Sequence, residues 1–250
     1  MVNIEKLIET IRKLRGKNGC EWDKKQTSNS LLPCFVEEVY KVIDAIDKDN
    51  WNNLSEELGD VLIHILFQCE IANDKQKFDI KDVISNADNK LINRHPNIFN
   101  EYNHSEPINW ESNEQEDKKK EYRLDGIPVN LPSLIKAQRL QEKAASTGFD
   151  WDNINQVWNK INEEIIELKE AQKSKIKSNI EEEMGDVLFT IVNLCRHLKI
   201  SPDNSLRKAN NKFLKRFNGI EKSIKEKDKQ FEDISFNEMN QLWNQQKKII

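Results

Sequence analysis

Residues 180–198 read IEEEMGDVLFTIVNLCRHL, from Ile180 to Leu198. Ile180, Met184, Val187, Ile191, Leu194, Cys195 and Leu198 recur at three- and four-residue steps, the period of a helix that buries one face. The pentapeptide inside it, Glu182-Glu183-Met184-Gly185-Asp186, has a counterpart in Glu56-Glu57-Leu58-Gly59-Asp60. Around that counterpart Leu54, Leu58, Val61, Leu62, Ile65, Leu66 and Cys69 form another helical stripe, and so do Trp158, Ile161, Ile165 and Leu168. Further helices are expected near 3–14, 31–48, 80–94, 132–146, 203–228 and 236–247. Ser201-Pro202 reads as the cap and first turn of one of them. No segment alternates with period two, so the expected fold is all-α.

The similarity extends beyond the pentapeptide. Glu38, Lys41, Glu57 and Asp60 have the same spacing as Glu164, Glu167, Glu183 and Asp186. A Trp-Asp pair precedes each set, at Trp22-Asp23 and Trp151-Asp152. The chain therefore reads as a tandem repeat of one helical-bundle unit, far longer than a solenoid repeat. Between the copies, Pro96, Pro107, Pro128 and Pro132 surround a polar run from Glu114 to Glu121. The expected organisation is an N-terminal domain over 1–96, a polar linker over 97–131 and a C-terminal domain over 132–250.

Composition narrows the chemistry. Of 250 residues only 7 are Gly, and none is placed to build a dinucleotide fingerprint, a P-loop or a nucleophile elbow. Cys20, Cys34, Cys69 and Cys195 form no C-x-x-C pair, and the histidines form no H-E-x-x-H. Any phosphate handled here is held without a glycine loop. The charged N-terminal segment is unlike a signal peptide, no apolar run reaches membrane-spanning length, and four scattered cysteines suit a reducing cytoplasm. A net charge of -4 makes no general case for nucleic acid or membrane as a partner.

On a wheel of about 100° per residue, Glu164 and Glu167 flank one edge of the stripe begun by Ile161. Glu183 and Asp186 flank the stripe begun by Ile180 in the same way. Antiparallel packing through those stripes lets the four carboxylates converge. An isolated E-x-x-E is ordinary on a solvated helix edge, but the doubled arrangement is not. Converging carboxylates call for a hard cation with oxygen ligands, Mg²⁺ or alternatively Mn²⁺. Such ions activate water and clamp phosphate oxygens. A di-iron carboxylate bundle wants two core-facing E-x-x-H pairs, whereas E-x-x-H occurs here only at Glu101–His104 in the linker. His64 and His197 lie on or near apolar stripes and read as packing residues. From Ser201 onward cations exceed anions by four, and Lys212 and Arg216 share one helix face. Beside a metal-carboxylate site such a pair suits a polyphosphate. Trp243 reads either as a packing anchor or as a platform for a base.

These residues carry a resemblance to a known family. The segments Asn18–Thr27, Glu56–Asp60, Leu124–Pro128, Lys136–Ala145, Gly148–Trp151, Glu181–Asp186 and Ala209–Phe217 together resemble the MazG-type nucleoside triphosphate pyrophosphohydrolases of the two-repeat bacterial kind. The resemblance implies an all-α pyrophosphohydrolase fold, a homodimer and Mg²⁺-dependent cleavage between the α and β phosphates. It implies metal ligands at Glu164, Glu167, Glu183 and Asp186, and nucleotide contacts at Lys212, Arg216, Trp243 and Lys160. The family's first repeat commonly reads E-E-x-x-E, but here it is Glu37-Glu38-Val39-Tyr40-Lys41. An ammonium cannot ligate a metal. The N-terminal repeat is therefore expected to be catalytically degenerate, with turnover in the C-terminal one. The competing expectation is a non-catalytic helical interaction or scaffold module. Gly59 and Gly185, inside the acidic motifs, suggest a close approach of a helix or a ligand, since an interior Gly costs about 1 kcal/mol relative to Ala.

Overall fold

The computed structural model describes residues 4–99 and 121–249. The chain divides into two compact units, residues 1–108 and 109–250. The described residues are helices joined by turns, with no strand among them. Most of the expected linker, including Glu101, His104 and Pro107, lies outside the described residues.

Unit 1 contains α1 (Ile4–Arg15), α2 (Glu21–Lys25), α3 (Leu32–Asp47), α4 (Trp51–Asp74), α5 (Ile80–Arg94) and the single turn α6 (Pro96–Phe99). Its core gathers around the C-terminal half of α4, where Leu66, Phe67, Cys69 and Ile71 pack with Ile8, Ile11, Leu31 and Ile80. Glu70 is buried in the same half and accepts a 3.0 Å hydrogen bond from Arg12 Nε, so its charge is paired. The N-terminal half of α4, which carries Glu57 and Asp60, packs instead against α3 as a helical hairpin.

Unit 2 contains α7 (Ser133–Ala145), α8 (Ile154–Ser174), α9 (Lys177–His197), α10 (Pro202–Lys225), a 3-10 turn (Phe231–Asp233) and α11 (Phe236–Ile249). The central element is the α8–α9 hairpin, with Val157, Ile161 and Leu194 buried at its seam. A second core joins Ile220 and Ile224 of α10 to Ile234 and to Leu242 of α11. Asn153 and Gln156 form a reciprocal capping box at the start of α8, and Ser201 caps α10 with Pro202 in its first turn. The short helices α2 and α6 and the 3-10 turn had no readable periodicity, because a single turn shows less than one repeat of the pattern.

Few glycines are available to end these helices, so other residues take the left-handed conformation. Asp49, Gln76, Lys175, Lys199 and Asp228 all have positive φ, and each follows the end of α3, α4, α8, α9 or α10. A side chain in that region costs about 1–2 kcal/mol. Lys175→Gly, in the two-residue turn of the α8–α9 hairpin, is expected to stabilise the chain by about 1 kcal/mol after the added freedom of the unfolded glycine is offset. A denaturant melt that moves to lower midpoint contradicts this.

The loop between α7 and α8 is tied to α9 by Asp150, which accepts hydrogen bonds from both terminal nitrogens of Arg196. That guanidinium holds the Asp150 carboxyl below its ordinary value. A depressed carboxyl stabilises the fold above its unfolded pKa and loses that contribution as pH falls through the folded value. Asp150→Asn should therefore lower the unfolding midpoint at neutral pH and converge with the unmodified chain in acid. A gap that persists undiminished in acid sinks this account.

Candidate active site

The repeated acids stand on the two hairpins. In unit 1, Glu38 on α3 and Glu57 and Asp60 on α4 place carboxylate oxygens within 4.8 Å of one another. In unit 2, Glu164 and Glu167 on α8 and Glu183 on α9 do the same. Asp186 is exposed and stands outside that group of three. The wheel gives the reason, since Asp186 is turned about 60° further from the helix seam than Glu183.

The apolar stripes that flank the acids are covered only in part. Val157 and Ile161 are buried, while Met184 is 43% exposed, Leu188 53% and Ile191 39%. Unit 1 likewise leaves Val36, Val39, Tyr40 and Leu58 exposed on its acid-bearing hairpin.

Each acidic group has one local cation, and the two cations come from different positions. In unit 2, Lys160 Nζ lies 2.6 Å from Glu163 and 2.8 Å from the buried Glu164, one turn further along α8. Those two carboxylates hold the Lys160 ammonium well above its ordinary value, through its hydrogen bonds first to Glu163 and then to Glu164. In unit 1, Lys41 Nζ lies 3.0 Å from Glu38 and 3.5 Å from Glu37. The hydrogen bond to Glu38 raises the Lys41 ammonium in turn.

One ammonium does not balance the unit 2 acids. Desolvation by the packed hairpin pushes the Glu167 carboxyl above the usual carboxylate range, and Glu164 and Glu183 add to it. An all-oxygen donor set of this kind suits a hard divalent cation. Within this motif, a Cβ built on Gly185 meets no other atom within 4 Å, and the same holds at Gly59. Close helix approach is therefore not why either glycine is there, and the space beside the acids stays open. With no clash to oppose it, Gly185→Ala should raise fold stability by up to about 1 kcal/mol. If that space admits substrate, the same substitution should lower turnover; a stabilised variant with undiminished turnover removes the ligand-approach reading.

The basic residues stand on the α10–α11 hairpin. The Arg216 guanidinium lies 5.6 Å from the Trp243 ring centroid, and Phe213 packs against the same indole at 5.2 Å. Trp243 thus rests on the Ile220–Leu242 core while supporting a cation, and Arg216 Nε is buried without a partner. Lys212, one turn before Arg216, is exposed. No ion pair joins Lys212 or Arg216 to the four acids among the described residues. His64 stacks on Phe35, and His197 lies 3.2 Å from Asp150; neither joins the repeated acids on the hairpins. Sequence reasoning did not single out Glu163, whose pairing with Lys160 depends on rotamers rather than on pattern.

The MazG nucleotide pyrophosphohydrolase domain matches this chain twice, over residues 26–99 and 153–220. A nucleoside triphosphate pyrophosphohydrolase/pyrophosphatase MazG from Thermotoga maritima is 41% identical over 245 residues, which cover 97% of this chain and 95% of that protein. A nucleoside triphosphate pyrophosphohydrolase from Escherichia coli K12 is 37% identical over 258 residues, covering 99% of this chain and 98% of that protein. A Bacillus subtilis protein, YabN, is 40% identical over 95% of this chain, which spans half of its length. Both repeats are matched and the likeness runs nearly end to end, so the chain belongs to the MazG nucleotide pyrophosphohydrolase family.

Proposed function

We propose that the chain is a nucleoside triphosphate pyrophosphohydrolase whose turnover is carried by the α8–α9 hairpin of unit 2. The reading rests on one observation above all: the Glu164, Glu167 and Glu183 carboxylates are gathered on that hairpin in a chain of this family. The reaction adds water across the anhydride bond between the α and β phosphates, giving nucleoside monophosphate and pyrophosphate. Glu164, Glu167, Glu183 and Asp186 would hold Mg²⁺, with Mn²⁺ as a chemical alternative. A cation there supplies polarised phosphate oxygens and a bound water of lowered pKa.

The chain's own residues do the rest. A carboxylate of this group that is not fully used as a ligand would accept the proton of the attacking water. Lys160 neutralises Glu164 in the free protein, and it would be available to a triphosphate oxygen if a cation were held by that carboxylate. Lys212 and Arg216 neutralise charge as pyrophosphate leaves. Trp243, under Arg216, completes the nucleotide contacts by fixing that guanidinium.

In unit 1 the Lys41 ammonium stands where the second repeat has Glu167. It neutralises Glu38 internally, which supports a domain over 1–96 that serves assembly rather than turnover. A domain over 132–250 carries the chemistry, with 97–131 as the linker. The exposed apolar residues on the acid hairpins support a homodimer that covers them. No helix among the described residues is long and apolar enough to cross a membrane, and a cytoplasmic enzyme of nucleotide pools fits the reading.

Pyrophosphate release from a panel of nucleoside triphosphates, with Mg²⁺ and with chelator, tests this. Glu164→Gln should lower release by more than the about 10–100-fold typical of changes outside the direct ligands. Glu38→Gln should leave it nearly unchanged. The reverse pattern moves turnover to unit 1, and no release from any triphosphate returns the chain to the scaffold reading.

A further inference from the structure

Glu164 is the buried member of the unit 2 acids, with a side chain 6% exposed. A buried carboxylate needs a paired charge whether or not a ligand is bound. In the free chain that charge is the Lys160 ammonium, 2.8 Å away and one turn earlier on α8. Glu167 and Glu183 bring oxygens within 4.8 Å of Glu164. Among the described residues, however, the ion pairs of Lys160 run to Glu163 and Glu164. The lysine therefore covers one of the three gathered acids and leaves the other two to a second charge.

Lys160 is placed so that it can leave. Its side chain is one-third exposed, and Glu163, which holds it at 2.6 Å, is more exposed still. Glu163 stands about 100° around the helix from Glu164 and outside the acidic group. The ammonium thus hangs between a buried carboxylate and a solvent-facing one, on a flexible four-carbon stem. Losing Glu164 leaves it Glu163 and water. A divalent cation beside Glu164 meets three carboxylates at once and carries twice the charge. The two cations cannot share that carboxylate without repelling each other.

Unit 1 has the contrasting arrangement. At the spacing that aligns Glu38 with Glu164, Cys34 stands where unit 2 has Lys160, and Lys41 stands where it has Glu167. Lys41 Nζ lies 3.0 Å from Glu38. Each hairpin thus keeps one lysine on the first acid of its spacing, reached from one turn before in unit 2 and one turn after in unit 1. The same pairing made from two different positions points to a charge requirement of the hairpin itself. Only in unit 2 does the lysine lie outside the acidic spacing, where it can withdraw and leave every acid in place.

We propose that Lys160 is the resident counter-ion of the unit 2 hairpin and competes directly with the cation for Glu164. The consequence, which rests on the pyrophosphohydrolase reading, is that cation and triphosphate bind as one. A cation alone must displace the ammonium into solvent, whereas a triphosphate arriving with it gives the displaced ammonium an anionic partner. Each ligand then strengthens the other by the same factor.

Titration calorimetry with Mn²⁺ alone, on the full chain dialysed against chelator and then against buffer, tests the competition without turnover. Lys160→Met should bind Mn²⁺ about tenfold or more tightly than the unmodified chain, the scale of one hydrogen bond to a charged group. Lys160→Arg should bind it more weakly, because a guanidinium grips a carboxylate with two hydrogen bonds. That variant keeps the charge, so it serves even where Lys160→Met fails to fold. Lys169→Met removes a charge from an exposed position of the same helix and should change little. Any Mn²⁺ taken up by unit 1 is common to all four chains. Equal or weaker binding in Lys160→Met, binding in Lys160→Arg as tight as in the unmodified chain, or an equal gain in Lys169→Met overturns the proposal. The second titrant is the Mn²⁺ complex of a triphosphate whose α and β phosphorus atoms are joined by a methylene group, which cannot be hydrolysed there. Lys160→Met should weaken its binding while strengthening that of Mn²⁺ alone. Loss in both titrations marks a purely structural lysine and overturns the proposal. The expected Mn²⁺ order in a chain with no affinity for the triphosphate complex supports the competition and removes only the triphosphate consequence.

Discussion

Carboxylates facing one another across a helix hairpin set the terms for the rest of the molecule. Like charges held within 4.8 Å repel, so positive charge between or beside them favours the pairing of α8 with α9. Lys160 supplies one such charge from the same helix, one turn before Glu164. It cannot serve all of them, because an ammonium is compact and its contacts here are spent on Glu163 and Glu164. The remaining negative charge is what suits the hairpin to a cation. The tight turn at Lys175, the buried seam at Val157 and Ile161, and the open space at Gly185 all serve that geometry.

The two repeats meet the same constraint by different routes. In unit 1 the lysine occupies the second place of the acidic spacing itself, and Glu38, Glu57 and Asp60 gather around the hairpin. In unit 2 the lysine lies outside the spacing, so all four acids remain. A cation built into the spacing is fixed by covalent structure, whereas one placed a turn away can be exchanged for a metal without unmaking the hairpin. Both sites are assembled within their own unit. One copy can therefore change its counter-charge without disturbing the other, which is the freedom that duplication provides.

Much of this was legible in the sequence because helix periodicity is a long-range signal along the chain. The long helices fall where the apolar steps placed them, and the spacing shared by Glu38 and Glu164 maps onto matching hairpins. The wheel located the acids on a common edge but carried no depth. It could not tell that Glu164 is buried while Asp186 is exposed, since that depends on what covers each edge. The buried set of α9 shows the same limit: Val192 is buried and Ile191 exposed, because α7 packs against α9 from a second side. The tie between α7 and α9 was invisible for a related reason. Gln141 and Phe189 are far apart in sequence, and each looks ordinary until a hydrogen bond joins them.

The scarcity of glycine links the fold to its chemistry. A backbone phosphate cradle needs close approach and left-handed residues, which glycine supplies at least cost. Here five helix ends adopt that conformation with Asp, Gln or Lys, so the chain tolerates local strain at its turns rather than using glycine there. Three of the seven glycines lie in helix interiors, and two of them, Gly59 and Gly185, fall inside the acidic motifs, where Ala would be the better helix former. Local propensity and placement disagree at those positions, and such disagreement is expected where a chain yields stability to function. The open space at Gly185 and the acids that flank it are therefore best understood together, as a helix surface kept bare on the side where charge is concentrated.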